Sequence, residues 1–173
     1  MQSVTFLVLS ALMLIQSTAP AKSIHVRRSG QITLHGSIEK VFPLFGPVEE
    51  EKWAEGWEPS IKHGSNSEEG TVFTTADPHP ATWVLDRFDA KSHTVRYVTV
   101  APELRVVQID IGCQAAGEAE TRCEVTYTMT ALSDLGETLV ENYTQSHHDH
   151  RIQQWQTAID HYLQTGTRMA HHE

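Results

Sequence analysis

Two runs of alternating apolar and polar positions, 104–112 and 123–132, close on the two cysteines of the chain. In the second, Val125, Tyr127 and Met129 alternate with Glu124, Thr126, Thr128 and Thr130, the period of two expected of a strand with one buried face. Setting Cys113 opposite Cys123 in an antiparallel hairpin brings Ile111 against Val125, Ile109 against Tyr127 and Val107 against Met129, so one register collects the apolar partners on one face. Directly opposed residues in such a ladder sit about 4.5–5.5 Å apart at Cα, a distance that a disulfide tolerates. Cys113 and Cys123 therefore read either as a bridge or as two small apolar residues of a reduced core, and an oxidising compartment would favour the bridge.

Shorter strand-like segments precede this pair at 31–35, 60–63, 71–76, 81–88 and 94–100, separated by turn-forming groups such as Gly64-Ser65-Asn66, Asp77-Pro78 and Ala101-Pro102. Between the first two, Ser37 is placed to cap a helix carrying Val41, Phe42, Leu44 and Phe45, which Pro43 limits to about two turns. Pro47 is placed to open a second helix, with Glu49, Glu50 and Glu51 in its first turn. Asp134 and Glu137 have the spacing of a capping box, and no Pro or Gly interrupts the chain from Glu137 to Gly166, so the pattern predicts one long C-terminal helix ending at that glycine. At 100° per residue, Ile152, Trp155, Ile159, Tyr162 and Leu163 form one stripe, while Asp149, Gln153, Gln156 and Asp160 lie away from it. Extended backwards, the stripe takes in Glu141, Thr144, Gln145 and His148, where an ordinary core helix would carry Leu or Val.

Residues 4–15, VTFLVLSALMLI, followed by Ala19-Pro20-Ala21, resemble a secretory signal peptide cleaved after Ala21. The expected organisation is a signal segment at 1–21, a linker at 22–30, one domain at 31–166 and a flexible tail at 167–173. The expected location is then periplasmic or secreted; an uncleaved N-terminal membrane anchor and a cytoplasmic protein are the alternatives. Thirteen Lys and Arg against 22 Asp and Glu leave a net charge of −9, and the scattered basic residues argue against a nucleic-acid groove.

The order of one strand, two short helices, a six-stranded meander and a long helix resembles the helix-grip fold. A closer resemblance is carried by Phe42-Pro43-Leu44-Phe45, by Trp53-Ala54-Glu55-Gly56-Trp57-Glu58-Pro59, by WVLDRFD at 83–89, by Leu132-Ser133 with Gly136, and by WQTAIDHYLQTG at 155–166. Over residues 30–166 the chain resembles the SRPBCC superfamily (START, Bet v 1-like, polyketide cyclase/dehydrase-like), in particular an uncharacterised bacterial group. The resemblance implies an α+β fold: a curved antiparallel sheet of about seven strands wrapped around the C-terminal helix, with two short helices after the first strand. It also implies a cavity between sheet and helix for a hydrophobic or amphipathic small molecule or lipid. That superfamily hosts carriers, receptors, cyclases and chaperone regulators on one scaffold, so fold follows from it more firmly than function.

Ligand pockets are mostly apolar with a few convergent polar groups. The expected binding residues are Ile109, Ile111, Val125, Tyr127 and Met129 from the strands and Trp155 and Ile159 from the helix, with Glu141, Thr144, Gln145 and His148 as the polar set. Trp53 and Trp57 either line the cavity mouth or staple the short helices to the sheet. His148, Glu141, Tyr127 and Arg105 are the side chains able to act as acid or base in a cyclase/dehydratase-like reaction. No spacing marks a catalytic set and there is no Gly-rich phosphate loop, so the residues favour binding over catalysis and call for no cofactor. The run His147-His148-Asp149-His150 does not converge as a metal site, because neighbouring helix positions point about 100° apart. The acidic start at Glu49 to Glu51 leaves a protein partner open. The sequon Asn142-Tyr143-Thr144 falls inside the predicted helix.

Overall fold

The computed structural model describes residues 23–76 and 80–169. The expected signal segment, the Asp77-Pro78 turn and the last residues of the expected tail lie outside the described residues. β6 (Arg105–Gly117) and β7 (Glu120–Ala131) form the hairpin that the alternation predicts, with Ile111 opposite Val125, Ile109 opposite Tyr127 and Val107 opposite Met129. Cys113 and Cys123 face each other with Cα atoms 4.1 Å apart and are joined as a disulfide. Both strands run further than their apolar patterns, because the backbone ladder continues to Gly117 and Glu120 after the inward face has run out.

β2 (Ser60–His63), β3 (Thr71–Thr75), β4 (Ala81–Asp89) and β5 (Thr94–Ala101) complete the meander, and with β1 (His25–Leu34) all pairs are antiparallel in the order β1-β7-β6-β5-β4-β3-β2. Irregular register at Leu85/Arg87 and Ala115/Gly117 bends strands of the curved sheet. β1 (His25–Leu34) begins upstream of the strand expected at 31–35, so residues 25–30 are strand and not linker. They pair with β7 from His25 opposite Thr130 to Gly30 opposite Val125. The pattern hides this because an edge strand is held by its ladder and by what covers it, and does not need a clean apolar alternation of its own.

The first helical segment is α1 (Ile38–Val41) running into a 3-10 turn at Phe42–Phe45, with Pro43 at its start. The helix expected from Pro47 is reduced to a single 3-10 turn, Glu49–Lys52. Trp53 donates its indole N–H to the Leu44 carbonyl at 2.8 Å, and Trp57 donates to the Pro47 carbonyl at 2.7 Å. Each indole thereby satisfies its one donor and pins this loop to itself.

The single long helix is a correction: the chain forms α2 (Asp134–Glu141) and α3 (Gln145–Thr165), separated at residues 142–144. Ser133, not Asp134, is the N-cap of α2, accepting from Gly136 N–H. Thr144 is extended and its hydroxyl accepts from His147 N–H at 3.2 Å, so a side-chain cap replaces a continuous ladder. The break turns Tyr143 inward, where it is buried against Tyr127 with ring centres 5.7 Å apart. The sequon thus sits in the break rather than in a helix. Gly166 ends α3 in the left-handed conformation, φ 72°, which costs glycine little.

α3 shares its surface among three neighbours. His148, Ile152 and Ile159 are buried against the sheet. Gln156 and Asp160, expected to lie away from the protein, instead meet β1 and its exit, together with Gln145, which was expected on the inward stripe. Gln145 donates to the Ser29 carbonyl at 2.9 Å, Thr33 N–H donates to Gln156 at 3.2 Å, and His35 N–H donates to Asp160 at 2.8 Å. These polar side chains satisfy backbone groups on the open edge and exit of β1, which would otherwise be free to pair with another chain. The third face, His147, Arg151 and Trp155 at four-residue spacing, lines a cavity.

Two outcomes are expected. Closing ten residues of sequence with the disulfide stabilises the fold by about 2–3 kcal/mol in loop entropy, so reduction should lower Tm by that equivalent in a melt with and without dithiothreitol. A Cβ on Gly136 would lie 1.8 Å from the Leu104 carbonyl oxygen, whereas one on Gly112 meets nothing within 4 Å. Gly136→Ala should therefore cost roughly 1–3 kcal/mol or more, and Gly112→Ala should melt close to wild type.

Candidate functional site

The cavity measures about 560 Å³ and lies between the concave face of the sheet and α3, reaching the loop that carries Trp53 and Trp57. Along β6, Arg105, Val107, Ile109 and Ile111 point into it in the two-residue period of a strand, with Tyr127 and Met129 beside them on β7. Aromatic side chains from β4, β5, α3 and the tryptophan loop complete the wall. Trp53 meets Trp155 edge-on at 5.7 Å, Trp57 meets Trp83 edge-on at 5.2 Å, and the Tyr97 hydroxyl donates to the Phe45 carbonyl at 2.7 Å. Trp53 and Trp57 therefore do both things expected of them: they staple the loop and they line the cavity.

Among the expected binding residues, Ile109, Ile111, Tyr127, Met129 and Trp155 converge on this space, and so does Arg105. Val125 and Ile159 are buried outside its wall. The polar set Glu141, Thr144, Gln145 and His148 does not reach the cavity, and each member has other surroundings. Glu141 is exposed at the end of α2, Thr144 caps α3, and Gln145 holds Ser29 and Asp149. His148 is fully buried, with Nε2 3.2 Å from the Val125 carbonyl and Nδ1 3.0 Å from the Tyr143 hydroxyl. A carbonyl only accepts, so Nε2 carries the proton and Nδ1 accepts from Tyr143. Burial holds the His148 pKa below its ordinary value, in keeping with a neutral ring that has both nitrogens bonded.

The polar groups that do face the cavity are different ones. Glu50 is 6% exposed, lines the wall and makes no hydrogen bond through its carboxyl among the described residues. Burial pushes its pKa well above the ordinary 4.5, which favours the neutral form of the carboxyl. Arg151 lies with its guanidinium carbon 6.0 Å from the centre of the Tyr127 ring. Burial raises Tyr127 and takes Tyr143 up to about 12, with the Arg151 charge opposing both shifts. Burial and then the Arg151 charge hold Arg105 below its ordinary pKa.

Glu50, Tyr143, His147 and Arg151 escape the sequence reading for separable reasons. His147, Arg151 and Trp155 stand at i, i+4 and i+8, a stripe visible in the sequence one position away from the one extended through His148. Tyr143 faces inward only because the helix breaks beside it. Glu50 is one of three consecutive glutamates, and nothing in the pattern distinguishes it. The structure turns it inside while Glu49 pairs with Lys52 on the surface, so the three do not form one acidic docking face.

No family model and no curated protein matches the chain. Solved structures do. Norcoclaurine synthase from Thalictrum flavum is 9% identical, with a TM-score of 0.63 over 90% of this chain and 99% of its own. That enzyme has also been solved in complex with dopamine and hydroxybenzaldehyde. Ara h 8.0201 is 18% identical, with a TM-score of 0.61 over 82% of this chain and 99% of its own. The Zhui aromatase/cyclase from Streptomyces sp. R1128 is 10% identical, with a TM-score of 0.60 over 82% of this chain and 94% of its own. The fold is the helix-grip fold that these solved structures share.

Glu50 makes stability depend on pH in a stated direction. Below about 4.5 the carboxyl is protonated in folded and unfolded chains alike. As pH rises from there towards the raised folded pKa, only the unfolded chain releases its proton, so stability is lost. Glu50→Gln cannot ionise, and its Tm should exceed wild type at pH 7.5, with the gap closing by pH 4. A glutamine variant less stable than wild type at pH 7.5 would mean that the carboxyl is ionised and paired.

Proposed function

We propose that this protein binds a hydrophobic or amphipathic small molecule or lipid in the cavity between the sheet and α3. The observation that carries the reading is the cavity wall itself: about 560 Å³ bounded largely by apolar and aromatic side chains, with one buried acid, Glu50, whose carboxyl has no hydrogen-bond partner among the described residues. A space of this size lined with Ile109, Ile111, Met129 and Trp155 is costly to leave empty and fits the dimensions of known ligand pockets. Tyr127 and Glu50 are among the polar groups placed to meet a ligand inside it. In this reading the protein acts outside the cytosol. The apolar N-terminal segment at 4–15 and the Cys113–Cys123 bridge support that location, since structural disulfides belong to oxidising compartments.

A second reading is an enzyme of the cyclase/dehydratase kind working in the same space. Glu50 favours it, because a neutral carboxylic acid on an apolar wall is able to donate a proton to a carbonyl oxygen or an alcohol leaving group. Tyr127 would then orient the reacting oxygen. Likeness of fold to a synthase and a cyclase adds only analogy.

A native mass spectrum of protein taken from its own host without refolding, set against the denatured mass, tests both readings. A carrier should release an extra mass on denaturation, and the denatured mass should be short of residues 1–21. An apo mass together with turnover of a polyketide-type ketone that Glu50→Gln abolishes would favour the enzyme. An apo mass with no binding of the neutral fluorophore N-phenyl-1-naphthylamine would sink both.

A further inference from the structure

The cavity has an end that its apolar walls do not explain. Arg105, at the start of the β6 row, and Arg151, on the cavity stripe of α3, line the same space from opposite elements. Neither has a carboxylate within ion-pairing distance among the described residues, although the chain carries 22 acids against 13 bases. Among the described residues the lysine and arginine ion pairs are those of Arg96, with Asp110 at 2.6 Å, and of Lys52, with Glu49, both away from the cavity wall. The groups felt at Arg105 are Arg151, Tyr143 and Tyr127, so its principal charged neighbour is a like charge. Arg28 lies opposite Tyr127 across β1 and β7, with its Nε buried and without a hydrogen-bond partner.

The acids on the cavity wall are Glu50, Glu55 and Glu58. All three belong to the loop beside Trp53 and Trp57, and the charge of Glu50 is felt at Tyr97 and Tyr127 but does not figure at Arg105. The acids of the wall thus come from the tryptophan loop, whereas the two arginines come from the start of β6 and from the first half of α3. Two guanidiniums facing one space without a counter-ion repel each other, and a bound anion would turn that repulsion into charge-assisted hydrogen bonding. The nearby tyrosines, Tyr127 and Tyr143, supply hydroxyl donors at the same end.

We propose that the ligand is an amphipathic organic acid whose carboxylate sits between Arg105 and Arg151, with its apolar body along Ile109, Met129 and Trp155. This rests on the binding reading above and narrows it from any apolar molecule to one with an anionic head.

The test uses two fluorescent carboxylic acids, each beside its methyl ester: cis-parinaric acid for a linear lipid-like body and 1-pyrenebutyric acid for a compact aromatic one. Each pair differs only in the charge. Affinities are measured at pH 7.5 in low and high salt for wild type, Arg105→Gln and Arg151→Gln. The expected result is that at least one acid binds about tenfold or more tighter than its ester, with an advantage that salt weakens. Each arginine variant should lose about tenfold for that acid while the ester affinity stays unchanged, which also certifies that the cavity is intact. Which pair responds tells a lipid-like acid from an aromatic one. Equal affinity for acid and ester, or an equal loss of both in the variants, overturns the anion proposal and leaves the binding reading standing. If neither pair binds, the binding reading fails and the proposal falls with it.

Discussion

The seating of α3 on Gly30 decides most of what this molecule presents to a ligand. A Cβ at that position would come within 2.4 Å of Ile152 Cδ1 and 3.5 Å of His148 Cδ2, so a bare backbone is what lets the helix lie against β1. Its rotation is then held by His148, whose two ring nitrogens are both bonded, and by Ile152 and Ile159 in the core. With that face fixed, Gln145, Gln156 and Asp160 necessarily meet the backbone of β1 and its exit, and His147, Arg151 and Trp155 necessarily face the cavity. One helix thereby packs a core, closes a sheet edge and supplies a binding wall, and a rotation of a single residue position would exchange those tasks.

The cavity concentrates features that work against folding stability. Empty volume forfeits packing, a carboxyl whose pKa burial raises disfavours the folded state as pH rises, and the Arg151 charge acts against that of Arg105, with no carboxylate paired to either among the described residues. Elsewhere the protein satisfies its polar groups with some care: the two indoles of the loop, the caps at Ser133 and Thr144, and the edge of β1 all find partners. Unfavourable terms gathered in one cleft of an otherwise satisfied structure are what a functional site looks like physically.

Structures at 9–18% identity share this scaffold while carrying different chemistry. A curved sheet gripping a helix encloses a space, and the side chains lining that space determine what it accepts. For this chain the distinguishing side chains are Glu50, Arg105, Tyr127, Tyr143 and Arg151, and they are the ones to alter when the scaffold and the chemistry need to be separated.

The architecture was legible in the chain because it rests on short-range patterns. Alternation specified the β6 and β7 hairpin to its exact pairing, since slipping by one residue would send Ile109, Ile111, Tyr127 and Met129 to the solvent face. Turn residues marked the meander, and Gly166 marked the end of the last helix. Half of the cavity wall followed directly, because strand residues two apart share a face wherever the strand lies. The other half did not follow. Helix positions translate into neighbours only once the rotation of the helix is known, and that rotation was set by Gly30 on a strand more than a hundred residues away. Thr144 chose to cap rather than continue, which put Tyr143 inside and took Glu141 out of phase with α3. Glu50 was turned inward by a loop anchored through Trp53 and Trp57, against the preference of a carboxylate for water. Local pattern thus determined the fold and the apolar floor of the cavity. Tertiary packing alone decided which polar groups stand over that floor, because a side chain's surroundings depend on elements that its own neighbours in sequence do not specify.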